Sequence, residues 1–206
     1  MNDLETAWGA AWRDLRLPPP ADDTLASLLA HWAQPHRRYH TLQHLRECLA
    51  LFDAHRAQAR HPGEVALAVW FHDAVYDTSR HDNEAASADW AVRVLAQTGA
   101  AADVAERVRA MIMATRHSHM PATADERLLV DIDLAILGAA PSRFAEYERQ
   151  IRDEYGFVPD ALFREKRGEI LRGFLDRPAL FATRELADRF ESAARANLAQ
   201  AIATLG

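Results

Sequence analysis

A histidine and an aspartate stand side by side at His72 and Asp73, inside a segment that is otherwise apolar from Val65 onward. A helix that is apolar on every side is buried, and a buried carboxylate is costly unless an opposite charge meets it. An imidazole nitrogen and a carboxylate are common ligands of divalent metals. The pair therefore predicts a metal site, and a hydrogen-bonded pair at a helix end is the alternative.

Two further histidines, His40 and His44, are four residues apart and are predicted on one helix face. On a helical wheel His44 lies nearer the stripe formed by Leu42, Leu45 and Leu49, and His40 lies further out. This pattern favours His44 as a ligand and His40 as a group at the mouth of a cleft. A solvated helix start is the alternative for both.

Asp131 and Asp133 lie in a largely apolar helical segment. Asp133 projects into the middle of the apolar arc, where a carboxylate needs a partner, whereas Asp131 falls in the gap of that arc. We predict Asp133 as a ligand and Asp131 as a polar-side or supporting residue. His117 projects off the stripe of its own helix, so it is either a second-metal ligand, a substrate contact or a surface histidine.

In order along the chain, His44, His72-Asp73 and Asp133 resemble the H…HD…D signature of the HD superfamily of metal-dependent phosphohydrolases. The closer resemblance is to a family of bacterial predicted metal-dependent HD phosphohydrolases of about this length. It spans nearly the whole chain. The segments that carry it are Tyr39-His40-Thr41, Trp70 to Asp77, Asn83-Glu84-x-x-Ser87-Ala88, Thr115-Arg116-His117-Ser118, Asp131 to Gly138, and Ile151-Arg152-x-Glu154-Tyr155.

The resemblance implies an all-helical HD-type domain that hydrolyses a phosphate ester with a metal-activated water. The run from Tyr39 to His44 is also distantly similar to a segment of cyclic nucleotide phosphodiesterases, and that likeness implies His40 as the proton donor and His44 as a ligand. Thr41 stands where those enzymes carry asparagine. Asp73 is a ligand that could also orient the nucleophilic water, and Glu84 could serve a water or a second metal.

A phosphorylated substrate, a nucleotide among the candidates, needs positive groups besides the metal. The candidate substrate-binding residues are Arg37, Arg38, Arg116 and Lys166. Imidazole and carboxylate ligands together favour one or two ions of Mn, Fe, Co, Ni or Zn over Ca²⁺. The alternatives are a di-iron oxygenase on an HD scaffold, with His117 as an extra ligand, and a non-catalytic metal- or nucleotide-binding protein.

The composition is that of an ordinary globular protein, with 49% hydrophobic and 26% charged residues in 206. A net charge of −6 argues against a general nucleic-acid binder. The one cysteine, Cys48, excludes an internal disulfide and fits a reducing cytoplasm. No signal peptide or membrane-spanning stretch is predicted. The sequence leaves the oligomeric state open.

The elements that must hold these residues all read as helices, because glycine and proline separate helically periodic segments and β-type alternation is missing. Asp22 or Asp23 is expected to cap the second helix. We predict one all-α domain over residues 1–206. Its expected helices are Leu4–Leu17, Asp23–Trp32, Thr41–Ala59, Glu64–Tyr76, Asn83–Gln97, Ala102–Thr115, Ala124–Leu137, Ser142–Tyr155, Asp160–Leu175 and Thr183–Leu205.

Overall fold

The structure is a computed structural model that describes residues 3–21 and 23–205. Asp22, one of the two expected caps, lies outside these residues. Within these residues every secondary-structure element is a helix, which confirms the predicted all-α class. Its contacts group it into two compact units, Met1–Val130 and Asp131–Gly206, and the prediction of a single HD-type domain stays a prediction. Within the described ranges, no helix is both long and apolar enough to cross a membrane.

Seven α-helices begin in the first unit, and the last of them, α7, contains the boundary between the units. They are α1 (Asp3–Leu15), α2 (Asp23–Trp32), α3 (Leu42–His55), α4 (Pro62–Phe71), α5 (Asn83–Gln97), α6 (Ala102–Ala114) and α7 (Ala124–Leu134). A 3₁₀ turn, Arg56–Gln58, follows α3. The second unit contains a 3₁₀ turn, Ala135–Gly138, followed by α8 (Pro141–Glu154), α9 (Asp160–Leu175) and α10 (Arg184–Leu205).

The centre of the first unit is α4, which packs against α1, α3, α5 and α6. Every residue from Gly63 to Phe71 is buried, as the all-round apolar pattern predicts. The Trp8 ring packs edge-on against the Trp70 ring, with the centroids 5.2 Å apart. Glu64 is the charged residue among them, and its carboxylate accepts two 2.7 Å hydrogen bonds from Arg107 of α6.

The predicted helix over Glu64–Tyr76 is wrong at its C-terminal end, because α4 ends at Phe71 and His72 is its C-cap. The last helical hydrogen bond joins His72 N to Ala68 O at 2.9 Å. Beyond it, side chains bind the backbone instead: Ser87 Oγ accepts from Val75 N at 3.0 Å and donates to Val75 O at 3.3 Å. The His-Asp pair therefore lies at the exit of the buried helix and not within it.

Three other helices also end two or more residues earlier than predicted, and the first of them, α1, ends at Leu15 instead of Leu17. The tightened 3₁₀ turns Arg56–Gln58 and Ala135–Gly138 replace the last turns expected for α3 and α7. In the second unit, a Cβ on Gly138 would lie 2.7 Å from both Cβ and O of Phe190. That close approach to α10 explains why the chain carries glycine where the sequence predicts a helix stop.

We expect Gly63→Ala to lower the free energy of unfolding by about 2 kcal/mol, as overpacking of a close contact does. A Cβ at Gly63 would meet Leu15 N at 2.7 Å and Ala11 O at 3.0 Å, both of them backbone atoms of α1. Chemical denaturation measures the loss. Gly173→Ala is the control, since nothing lies within 4 Å of a Cβ there, and an equal response of the two variants would contradict the close packing of α1 on α4.

Candidate metal centre

Three side chains of the first unit bring their ligand atoms together at the exit of α4. His44 is on the first turn of α3, His72 is the C-cap of α4, and Asp73 follows it. His72 Nε2 lies 3.2 Å from His44 Nε2 and 3.2 Å from Asp73 Oδ2, and His44 Nε2 lies 3.9 Å from Asp73 Oδ2. Both imidazoles are buried, and the carboxylate is 15% exposed.

The second nitrogen of each histidine is held by another group. His72 Nδ1 lies 2.8 Å from Val69 O, and because a carbonyl only accepts, this nitrogen carries the proton. In the neutral ring, Nε2 of His72 is then left with a lone pair that points towards the other two groups. His44 Nδ1 lies 3.1 Å from the buried Tyr39 hydroxyl. In the tautomer in which Nδ1–H donates to Tyr39, His44 Nε2 offers a lone pair as well.

These separations fit the donor set of one metal ion. Donors bound at about 2.0–2.1 Å and separated by right or tetrahedral angles lie about 2.8–3.4 Å apart. Two of the three separations fall in that range, and the third is slightly wider. In that tautomer of His44, two imidazole lone pairs face a carboxylate, and a cation between them would relieve the repulsion. This buried group could therefore hold a metal ion.

Cys48 belongs to the same cluster, although it is not among the ligands that the sequence predicts. One ligand atom each of His44, Cys48 and His72 lies within 4.8 Å of the others. However, Cys48 Sγ is 3.6 Å from Nδ1 and 3.7 Å from Nε2 of His44. A sulfur sharing a metal with Nε2 would lie about 5 Å from Nδ1. The thiol therefore packs against the ring of His44, and its spacing of four residues from His44 is the signal that could have revealed this.

His40 lies in the turn before α3 and not on the helix, so the prediction of a shared helix face is wrong. The helix begins after its N-cap, Thr41, whose backbone is extended and whose Oγ1 accepts from Gln43 N at 3.3 Å. The His40 ring centroid is nevertheless 6.0 Å from that of His44, and the ring stacks on Tyr76 at 4.0 Å. His40 is half-buried, and its predicted place at the mouth of a cleft stays a prediction.

Arg37 was predicted to bind substrate, but the structure gives its guanidinium backbone partners. The side chain is buried, and it donates to Asp73 O at 2.6 Å, to Ala74 O at 3.0 Å and to His40 O at 3.2 Å. These hydrogen bonds favour a structural role over anion binding. The neighbouring Arg38 is exposed, and its predicted role in substrate binding stays a prediction.

Glu84 and Arg116 lie near each other, with Arg116 Nε 3.9 Å from Glu84 Oε2. Glu84 is in the first turn of α5, and Arg116 follows α6 and is exposed. His117 has a φ of 54°, and its N–H donates to Ala114 O at 3.2 Å. The helix α6 ends at Ala114, and His117 in the following turn has a left-handed backbone conformation. Its role as a ligand stays a prediction.

The second unit contains Asp131, Asp133 and Lys166. Asp131 was expected to be a polar-side or supporting residue. It is 1% exposed, and its carboxylate accepts from Ala182 N at 2.9 Å, from Thr183 N at 2.6 Å and from Thr183 Oγ1 at 2.7 Å. Burial raises the pKa of Asp131, and the hydrogen bonds from Thr183 and Ala182 oppose that rise. The hydrogen bonds of its carboxylate thus all go to the segment that precedes α10.

Asp133 is half-buried, and its predicted role as a metal ligand stays a prediction. Lys166 is exposed on α9 and pairs with Glu169 at 2.9 Å. This pairing is typical of a solvated surface charge. The structure therefore gives no support to Lys166 as a substrate-binding residue.

No protein-family model matches the chain, and comparisons with curated proteins and with solved structures also find no match. The likeness to HD phosphohydrolases therefore depends on the motifs quoted above.

Proposed function

We propose that this protein is a metal-dependent phosphohydrolase of the HD type that acts on a small phosphorylated molecule, with nucleotides as the first candidates. The observation that carries the proposal is the convergence of His44 Nε2, His72 Nε2 and Asp73 Oδ2, separated by 3.2–3.9 Å. These are the residues that the HD resemblance names as ligands, and it named them without reference to geometry.

The ligand set of the proposal is His44, His72 and Asp73, with Asp133 added from the sequence pattern. Two imidazoles and a carboxylate suit Mn, Fe, Co, Ni or Zn better than Ca²⁺. A divalent metal held there would supply Lewis-acid chemistry, because it lowers the pKa of a water and polarises a phosphoryl oxygen. The backbone contact of His72 and the Tyr39 contact of His44 orient both rings for this purpose.

The protein's own side chains have three further tasks in the proposal. His40, half-buried and close to His44, protonates the leaving oxygen, a role worth about 10²–10⁴-fold in rate. Arg116 is exposed and contributes positive charge towards the phosphate. Glu84, beside Arg116, orients a water or a second metal.

The test is metal analysis of the purified protein, followed by assays with aryl phosphates, aryl phosphodiesters and nucleotides. Each assay is repeated after chelation and after addition of Mn, Fe, Co, Ni or Zn. We expect bound transition metal and hydrolysis that is lost with chelator and restored with metal. A fully metal-loaded protein without chelator-sensitive hydrolysis would contradict the proposal.

Two other results would assign a different function. Bound iron together with oxygen consumption would favour the di-iron oxygenase. Stoichiometric metal without turnover, with loss of folding on chelation, would favour a non-catalytic binding protein.

A further inference from the structure

Arg37 joins two short segments that carry residues of the proposed site. Its Nη1 donates both to His40 O, in the turn before α3, and to Asp73 O, just after α4. Its Nη2 donates to Ala74 O at 3.0 Å. One side chain thus binds the main chain of the proposed proton donor and that of a proposed ligand.

The guanidinium itself is held in place on several sides. Its Nε donates to Gln34 Oε1 at 3.2 Å, and its Cζ lies 5.5 Å from the ring centroids of both Trp32 and Tyr76. These distances are those of cation–π contacts. The plane of the guanidinium is therefore set by neighbours on α2, on the following turn and on the loop after α4.

Two of the three carbonyls that Arg37 binds, those of Asp73 and Ala74, would accept helical hydrogen bonds if α4 continued. With α4 ending at Phe71, the carbonyls of Asp73 and Ala74 need donors from elsewhere. Arg37 supplies these donors, and His36 Nε2 adds a 2.8 Å contact to Tyr76 O in the same loop. The direction in which the Asp73 carboxylate leaves the main chain is thereby fixed.

We infer that Arg37 is a positioning residue, which sets the geometry of the metal centre through the main chain of Asp73 and His40. This inference rests on the proposed metal site, and it replaces the predicted role of Arg37 in binding substrate. A lysine could not take this role, because its single ammonium lacks the planar fork that reaches three carbonyls at once.

The experiment compares wild type, Arg37→Lys and Arg93→Lys, the last being the same exchange on the exposed side of α5. Cobalt(II) affinity is measured by competition with a chelating dye, and the visible spectrum of the bound cobalt reports the ligand geometry. We expect Arg37→Lys to weaken cobalt binding by about 10–100-fold, as loss of a residue that orients a ligand does, and to change the spectrum. Arg93→Lys is expected to match wild type.

Failure of the inference and failure of the proposed function give different results. A wild type that binds no metal contradicts the proposed function. A wild type that binds cobalt, with a folded Arg37→Lys of equal affinity and identical spectrum, overturns only the positioning role. If Arg37→Lys does not fold by circular dichroism, Gln34→Leu decides, since it keeps Arg37 and removes the acceptor at Nε. A weaker affinity and shifted spectrum there support the inference, and unchanged values overturn it.

Discussion

The double variant His72→Ala, Asp73→Ala is expected to lose its bound metal and to lower chelator-sensitive hydrolysis about a thousandfold. Two of the three converging donors disappear, and the Lewis-acid contribution of a metal is worth several kcal/mol, at 1.4 kcal/mol per factor of ten. Metal content by mass spectrometry and kcat/KM on the best phosphate substrate measure the effect. Circular dichroism establishes that the variant is folded.

The chain offers a matched control for this variant. His81-Asp82 is a second His-Asp dipeptide, and it lies exposed in the loop before α5, where Asp82 pairs with Arg80 at 2.8 Å. His81→Ala, Asp82→Ala removes the same two side-chain types and is expected to keep metal and activity. If the two double variants bind the same amount of metal, the site at the exit of α4 is wrong.

Asp131→Ala is expected to lower the free energy of unfolding by about 3 kcal/mol without reducing the metal content. The substitution leaves the N–H groups of Ala182 and Thr183 and the Thr183 hydroxyl without their acceptor. An unsatisfied buried donor costs about 1–3 kcal/mol, and because these three donors are only partly buried, each is expected to cost about 1 kcal/mol. Denaturant unfolding in the presence of chelator measures the loss.

The choice of Asp133 as ligand predicts the opposite result for Asp133→Ala, namely weaker metal binding with little change in the free energy of unfolding of the apoprotein.

The pH dependence gives the Asp131 prediction a second test. Because burial raises its folded-state pKa, the titration-linked part of the contribution of Asp131 to stability is fully present below the unfolded pKa near 3.8 and is lost as the pH rises through the folded value. The hydrogen bonds that Asp131 accepts are a separate contribution. Asp131→Asn does not titrate. In apoprotein, the stability of wild type relative to Asp131→Asn should therefore decrease as the pH rises above about 3.8. A constant difference would show that burial does not perturb this carboxyl group.

The all-helical class could be predicted because the helix periods and their glycine and proline boundaries are local features. The end of α4 could not, since the segment from Ala74 to Tyr76 is apolar and contains no helix-breaking residue. What ends the helix is distant in sequence: Arg37 and Ser87 bind the backbone of residues 73–75. Only the tertiary structure brings these donors and acceptors together.

Part of the candidate site could also be predicted. His44, His72 and Asp73 were chosen from burial energetics and spacing, and their ligand atoms meet in the structure. The roles of the charged residues were less predictable, because an arginine in a sequence looks the same whether it faces a phosphate or a carbonyl. The burial of Asp131 was missed for a related reason, since a helical wheel does not show a loop that packs against the polar gap.

The burial of α4 has a consequence for how the proposed metal would enter and leave. A helix covered on every side exchanges its amide protons only when large parts of the unit unfold together. Local fraying at the end of that helix therefore cannot move the His72 ring away from the candidate site. The same holds for the carbonyl of Val69, which orients the ring. The part of the centre that lies outside the helix is the segment that begins at Asp73, so metal exchange should depend on the side chains that bind its backbone, Arg37 and Ser87.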